Sequence, residues 1–176
     1  TVIGLCLAAV AAVVMPAAVI IRPPKIYISE ICPSNSETSK KTAMQDKNGE
    51  PSDWIEIYNP TNKDISLTGF SLSKNGGGDQ PLGGYVIKAH DYIIVYCSSA
   101  GFENADFPHA DFSIGKVSEA EIILKYDSFQ CESIKLPKLN KGVSYSKNVK
   151  GEMYVSEPTP LAANCLLYTS PSPRDT

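Results

Sequence analysis

The sequence has few of the residues that metal sites and catalytic sites need. Only two histidines occur among 176 residues, His90 and His109, and neither lies in a Cys/His cluster with zinc-site spacing. No motif groups serine, histidine and aspartate as a hydrolase triad would. The sequence therefore predicts no cofactor and no catalytic site, and we expect the chain not to be an enzyme.

The sequence also has no excess of positive charge. Lysine and arginine number 16 against 19 aspartates and glutamates, which gives a formal net charge of -3 and an isoelectric point near 5.4. Proteins that bind nucleic acid through its phosphates usually carry a basic surface. This balance argues against nucleic acid as the partner.

Helical periodicity is absent after residue 21, and short runs of β-branched and aromatic residues recur between turn residues. The predicted strands cover residues 25–32, 53–58, 64–73, 85–87, 92–96, 111–114, 121–126, 130–136 and 143–146. A change in the parity of apolar residues predicts a bulge or bend at Gly69. This pattern predicts an all-β fold, an antiparallel β-sandwich of immunoglobulin-like topology.

The clearest strand is DWIEIY at residues 53–58, which Pro60 ends. Because side chains alternate along a strand, one face carries Ile55 and Ile57, and the other carries Trp54, Glu56 and Tyr58. Burying a carboxylate without a partner is costly. The two isoleucines are therefore predicted to face the core.

Trp54 and Tyr58 then lie on the outer face of that strand. The long polar segment 34–52 would cover them if they follow the usual burial of large aromatic residues. If they are exposed instead, they form part of a possible binding surface. Both alternatives stay open at this stage.

Lysines near the end of the chain give a second possible binding surface. Lys135, Lys138 and Lys141 begin a loose basic run that continues through Lys147 and Lys150. A patch for an anionic polymer is one reading. A solvated face is the alternative, given the acidic balance of the chain.

A calcium site is a weaker candidate. Asp46, Asn48, Glu50 and Asp53 offer oxygen-bearing side chains around Gly49. Calcium requires six to eight oxygen ligands, and the spacing departs from the EF-hand pattern. A plain polar turn is the alternative.

Three cysteines, Cys32, Cys97 and Cys131, fall within the predicted domain. In an exported domain they would form one disulfide and leave one thiol, and three pairings are possible. Alternatively, all three are small buried side chains.

Several pieces of sequence follow one another in a familiar order. They are ISEI at 28–31, DWIEIYNP at 53–60, ISLTGFSLS at 65–73, IKA at 87–89, and Pro-Thr-Pro at 158–160 followed by Asn164. Together they resemble the lamin tail domain in its exported bacterial form. The departures are Phe70, where a tryptophan is common, and Leu161, where a glycine often follows Pro-Thr-Pro.

The resemblance covers about residues 25–164 and implies an immunoglobulin-like sandwich that serves as a non-catalytic interaction module. In nuclear lamins the domain contacts proteins and DNA; in bacteria it is appended to surface or secreted proteins. The implied partner is a protein or a cell-envelope polymer. An accessory role beside a secreted nuclease, phosphoesterase or spore-coat kinase is the alternative, with the partner domain following Asn164.

The two ends are predicted to lie outside this domain, which spans residues 22–164. Residues 1–21 carry no charge and are long enough to cross a bilayer, so they are read as a transmembrane anchor, with a signal peptide as the alternative. Either reading places the domain outside the cytoplasm, on the cell membrane or secreted. Residues 165–176, including Cys165, resemble a translated sequencing adapter and are read as a non-native tail.

Overall fold

The computed structural model describes residues 22–35, 44–46, 49, 51–98, 107–115 and 120–164, and the structural statements below concern these residues. They form strands and turns, with no α-helix in the described ranges. The strands are β1 (Tyr27–Cys32), β2 (Asp53–Tyr58), β3 (Ile65–Ser66), β4 (Phe70–Lys74), β5 (Gln80–Pro81), β6 (Val86–Ile87), β7 (Tyr92–Cys97), β8 (His109–Ala110), β9 (Glu121–Tyr126), β10 (Phe129–Lys135), β11 (Ser144–Lys147) and β12 (Met153–Ser156).

Two larger sheets face each other across the core. The first has six strands in the order β12-β11-β1-β2-β7-β8, and the second has four in the order β10-β9-β4-β5. Strands β3 and β6 form a separate pair. Neighbours are antiparallel except β7 and β8, which run parallel. The predicted all-β sandwich is confirmed.

The predicted core face of β2 is also confirmed. Ile55 and Ile57 are fully buried and belong to the cluster between the sheets. Leu72 of β4 and Leu124 of β9 reach the same cluster from the opposite sheet and are also fully buried. Alternation along β2 was thus sufficient to identify the side that packs inward.

Strand β1 departs from simple alternation. The letters of residues 25–32 predict Ile28 and Glu30 on one face and Ile31 on the other, and this prediction is wrong. In the structure the register with β2 shifts between Ile28 and Glu30, and Ile28 and Ile31 both lie in the core. A bulge of this kind inserts one residue and reverses the parity of every position that follows. Glu30 is thereby turned to the outer face.

The predicted strand 64–73 is divided at Gly69. This glycine has φ +86°, and the chain passes from β3 in the two-stranded sheet to β4 in the four-stranded sheet. A side chain there would approach Asp127 and Tyr126 at 3.1 Å. The change of direction predicted at Gly69 is therefore confirmed, with a complete break of the strand.

Other strand assignments differ at the edges. Residues 111–114 form no strand, and the neighbouring pair in β8 joins the sheet instead. Strands β5 and β12 were not predicted, because two- and four-residue edge strands carry little periodic signal. The predicted strands 121–126 and 130–136 correspond to β9 and β10, which form a hairpin with Asp127 at φ +49° in its turn.

The three cysteines of the sandwich are free thiols. Cys97 lies in the core between the sheets, whereas Cys32 packs in a separate cluster on the outer face of the six-stranded sheet. Burial raises the pKa of the Cys32 thiol to about 12. Of the two alternatives left open by the sequence, the structure has buried thiols at Cys32 and Cys97, and Cys131 is half-buried.

Residues 1–21 and 165–176, the predicted anchor or signal segment and the predicted adapter-derived tail, lie outside the described residues. Within the described residues, no helix has the length and apolar character needed to span a bilayer.

Replacing Ile57 with Asp tests the core face of β2. The change buries a carboxylate with no partner in the apolar core, and we expect it to cost more than about 4 kcal/mol and to unfold the domain. Circular dichroism during urea titration would show the lost cooperative transition. Val86→Asp, at a half-exposed position, is the control and should unfold near the parent midpoint. A folded Ile57→Asp protein would contradict the assignment.

Candidate functional site

The outer face of the six-stranded sheet combines aromatic, apolar and acidic side chains. Along β2 it presents Trp54, Glu56 and Tyr58 in turn. Their neighbours on β7 in register are Tyr96, Ile94 and Tyr92. The face therefore has an apolar end at Trp54, a charged middle at Glu56 and a tyrosine end at Tyr58.

The apolar end is closed. Trp54 is 0% exposed and packs with Cys32, Ile94 and Tyr96, and Met44 and Phe107 cover the cluster. The Tyr96 hydroxyl donates a hydrogen bond to the carbonyl of Gln45 at 2.8 Å. The segment before β2 thus covers the tryptophan, as one of the two sequence alternatives predicted.

Trp54 therefore has to be removed from the possible binding surface. A side chain with no exposed area cannot contact a partner unless its cover leaves. Tyr58 is half-buried and retains the potential to make such contacts. The two aromatic residues, paired in the sequence analysis, have different surroundings in the structure.

In the middle of the face, the prediction that Glu56 stays exposed is wrong. Its carboxylate was expected to avoid burial, yet Glu56 and Glu30 are both 0% exposed and lie opposite each other in the register of β2 and β1. Two buried carboxylates side by side are costly without hydrogen-bond donors. Donors must therefore come from another part of the chain.

Most of those donors come from residues 157–164, which we call the strap, and one comes from Ser29 of β1. The strap follows β12 and crosses the outer face over the two carboxylates. Thr159 donates to Glu30 from its backbone N–H to Oε1 at 3.0 Å and from its hydroxyl to Oε2 at 2.9 Å. The N–H of Leu161 donates to Oε2 of Glu56 at 2.6 Å, and the Ser29 hydroxyl donates to Oε1 at 2.6 Å.

Asn164 fastens the far end of the strap. Its amide nitrogen donates to the carbonyl of Ser29 at 2.9 Å and to that of Lys147 at 3.2 Å. Its amide oxygen lies 2.7 Å from the Thr159 hydroxyl oxygen, so that it and Glu30 are alternative acceptors for the single hydroxyl proton. Thr159 of the Pro-Thr-Pro motif and Asn164 thus provide hydrogen bonds that hold the strap on the sheet.

Burial raises the pKa of the Glu56 carboxyl to about 7. The hydrogen bonds from Ser29 and Leu161 oppose this change because they stabilise the carboxylate. The neighbouring Glu30 charge adds to the rise. Burial outweighs the two hydrogen bonds, so Glu56 titrates near neutral pH.

The tyrosine end is open to solvent. The ring centroids of Tyr27 and Tyr58 are 5.5 Å apart, and those of Tyr58 and Tyr92 are 4.5 Å apart. The Lys147 ammonium lies 4.8 Å from the centre of the Tyr27 ring and pairs with Glu132. The three tyrosines and Lys147 line a groove of about 320 Å³, which we call the tyrosine groove.

The strap supplies part of the groove. Ala163 and Asn164 form one wall, and Asn148 and Val149 from the turn between β11 and β12 form another. Val149 is 99% exposed. The groove therefore combines three aromatic rings with amide groups and an ammonium group.

The candidate lysines lie away from this groove. Lys135 ends β10, while Lys138 and Lys141 lie in the loop before β11; all three are exposed. That loop meets Ser34, just beyond the end of β1, through the N–H of Gly142 at 3.1 Å. Tyr27 begins β1, so the loop and the tyrosine groove lie at opposite ends of the strand.

The calcium candidate is only partly within the described residues, because Asn48 and Glu50 lie outside them. Asp46 accepts the Ser52 hydroxyl at 2.9 Å. Asp53 accepts the hydroxyl of Ser113 at 3.0 Å and the N–H of Gly115 at 2.9 Å. No group of three metal-binding side chains occurs in the described ranges.

The fold also brings together Ser98 and His109, which the sequence analysis did not connect. The Ser98 hydroxyl lies 3.0 Å from Nε2 of His109, where β7 meets β8. A serine–histidine contact alone is not a nucleophilic site, because acyl transfer also needs oxyanion donors and an orienting acid. His90 is exposed and contacts Asn62.

Comparison with known protein families identifies the domain type. A family model described as the lamin tail domain matches residues 22–136, which is more than half of the chain. No curated protein matches the sequence. Strands β11 and β12 and the strap lie beyond the matched range, and β11 pairs with β1 in the same sheet.

Glu56 makes the stability of the domain depend on pH. Because its pKa is higher in the folded state, about 7 against 4.5, the folded state binds the proton more tightly. The free energy of unfolding should be highest below about pH 4.5 and fall by up to about 3 kcal/mol as pH rises to about 7. Urea denaturation of the parent and of Glu56→Gln at matched pH values measures this difference. A parent profile that matches the Glu56→Gln profile would contradict it.

Leu161 has φ +59°, a conformation that costs a non-glycine residue about 1 kcal/mol or more. This backbone geometry accompanies the hydrogen bond from its N–H to Glu56. Leu161→Gly should therefore raise the free energy of unfolding by about 1 kcal/mol, measured by urea denaturation. Ala162→Gly is the control and should lower it slightly. A destabilised Leu161→Gly protein would show that the leucine side chain matters more than the backbone strain.

Proposed function

This chain belongs to the lamin tail domain family, and from that membership we propose that it is a non-catalytic interaction module working outside the cytoplasm. Residues 1–21 hold it at the membrane, and the β-sandwich binds a protein or a cell-envelope polymer. In a longer chain the module would position the domain that follows it. The alternatives are a secreted module released by a signal peptide and an accessory domain beside a secreted enzyme.

The observation that carries this proposal is the tyrosine groove. Tyrosine gives a large contact area with little conformational entropy to lose, and its hydroxyl accepts or donates hydrogen bonds. Here three tyrosines lie on three adjacent strands, so the strand backbones fix their spacing. Lys147, Asn148 and Asn164 add polar groups at the edges of the groove. Such a surface suits recognition.

The buried carboxylate pair supports binding over catalysis. Two adjacent carboxylates are a common acid–base arrangement in enzymes. Glu30 and Glu56, however, are 0% exposed and receive their hydrogen bonds from the strap and from Ser29. With the strap docked, a substrate has no route to either oxygen pair. The pair is better explained as an attachment site for the strap.

The path of the chain supports a role at the membrane. The segment from Arg22 leads directly into Tyr27, and the strap ends at Asn164 beside the same groove. Five residues, 22–26, separate the apolar segment from Tyr27 and span at most about 18 Å. An anchor formed by residues 1–21 would therefore keep the groove close to the cell envelope.

Substitution in the groove tests this function. Tyr92→Ala and Tyr58→Ser remove aromatic contacts while the core residues of β2 and β7 remain. We expect the full chain to co-sediment with isolated cell-wall polymer or to bind envelope proteins, and each change to weaken binding by about five-fold or more. Sedimentation of the parent and variants at equal concentrations gives the comparison.

The control is the double variant Lys135→Gln, Lys138→Gln at the opposite end of the domain. Its binding should equal that of the parent. Normal binding by the tyrosine variants, combined with loss in the lysine variant, would move the binding surface to the basic loop. Absence of binding by the parent to either preparation would count against the interaction module itself.

A further inference from the structure

We propose that the strap is a movable wall of the tyrosine groove, and that protonation of Glu56 beneath it holds this wall closed. This inference rests on the proposed function, because it assigns a regulation to the same groove. The result is a binding site that is complete in mildly acidic surroundings and loses one wall as pH rises.

The strap is held by polar contacts. None of its described residues belongs to either buried hydrophobic cluster. Its fastenings are the hydrogen bonds of Thr159 and Leu161 to the carboxylates and of Asn164 to two backbone carbonyls. Individual hydrogen bonds of this kind contribute little net stability, up to about 3 kcal/mol when one partner is charged. Such an attachment can open without unfolding the core.

The position of the strap in the sheet permits this movement. It follows β12, which is the edge strand of the six-stranded sheet. Lifting residues 157–164 therefore breaks no strand pairing among β1, β2 and β7. Opening exposes Glu30 and Glu56 to water, and closing removes both from it.

The surroundings of Glu56 favour a proton when the strap is closed. Glu30 faces it from β1, and Tyr92 from β7 and Tyr58 from its own strand add ionisable hydroxyls. The strap contributes N–H groups and one hydroxyl to the pair and no positive charge. Within the described residues no lysine or arginine forms an ion pair with either carboxylate. The repulsion between two adjacent charges in a dry site with no cation is relieved when Glu56 binds a proton.

The direction of the effect follows from linkage. Burial raises the pKa of Glu56 to about 7, and hydration in the open state returns it toward 4.5. The open state therefore releases the proton more readily, and deprotonation favours opening. The opening equilibrium should rise across about pH 4.5 to 7, by on the order of a hundred-fold in total, and level off above that range.

Opening would change the groove directly. Ala163 and Asn164 form its wall, and Asn164 also holds the backbone of Ser29 and Lys147. When the strap lifts, the groove loses that wall and its amide group. Tyr27, Tyr58 and Tyr92 remain in place because their strands stay paired. Affinity should consequently be higher below about pH 6 than above about pH 8.

Hydrogen exchange measured by NMR on the full chain in detergent micelles tests the strap without any ligand. The Leu161 amide reports strap opening, and the Leu124 amide in the opposite sheet reports global unfolding. After correction for intrinsic rates, Leu161 should be less protected than Leu124 at every pH. Its opening constant should increase by on the order of a hundred-fold from about pH 4.5 to about pH 8.

Two variants complete the test. Glu56→Gln retains an acceptor for Leu161 and should give an opening constant that does not change with pH. Glu30→Gln removes the neighbouring charge and should shift the pH response of Leu161 to lower pH. Equal protection of Leu161 and Leu124 would overturn the proposal. A Glu56→Gln protein whose opening constant depends on pH as strongly as that of the parent would overturn it as well. The exchange experiment uses no ligand, so its failure would count against strap opening alone. Failure of the sedimentation experiment would count against the proposed binding function.

Discussion

The burial of two adjacent carboxylates is the constraint on which the outer half of this domain depends. Glu30 and Glu56 occupy paired positions on neighbouring strands, so neither can be placed away from the other. Their oxygens need donors, and the strap supplies them from residues more than a hundred positions away. This single requirement accounts for Thr159 and for the left-handed backbone of Leu161. Asn164 then holds the end of the strap against the sheet, so that the donors of Thr159 and Leu161 stay over the carboxylates.

The same pair marks the limit of sequence reasoning. Alternation along β2 correctly assigned Ile55 and Ile57 to the core, because both faces of a strand are visible in local sequence. The cost of burying Glu56 was also judged correctly, but the conclusion that it stays exposed was wrong. Apart from Ser29, the compensating donors lie on a segment with no strand or helix signal. The local sequence around Glu56 indicates that a buried carboxylate needs hydrogen-bond donors. It does not indicate which distant segment provides them.

Strand register and pairing explain most of the remaining differences between the predicted and the observed strands. The bulge in β1 reverses parity after Ile28 and brings Glu30 to the outer face, although the letters of that strand alternate well. Gly69 did signal a change of direction, since a positive φ favours glycine. Strong strands such as β7, β9 and β10 were predictable from residue type. Their assignment to sheets depended on long-range pairing, which residue type does not encode.

The order of residues along β2 explains why the open site lies at one end. Trp54 has the largest apolar area and is stable only under a complete cover, which Met44 and Phe107 provide. Glu56 requires a polar cover, and the strap provides it. Tyr58 needs neither, because its ring can pack sideways on Tyr27 and Tyr92 while its hydroxyl end meets water. An open aromatic groove therefore remains at the tyrosine end, and the strap, attached through the adjacent carboxylates, forms one of its walls.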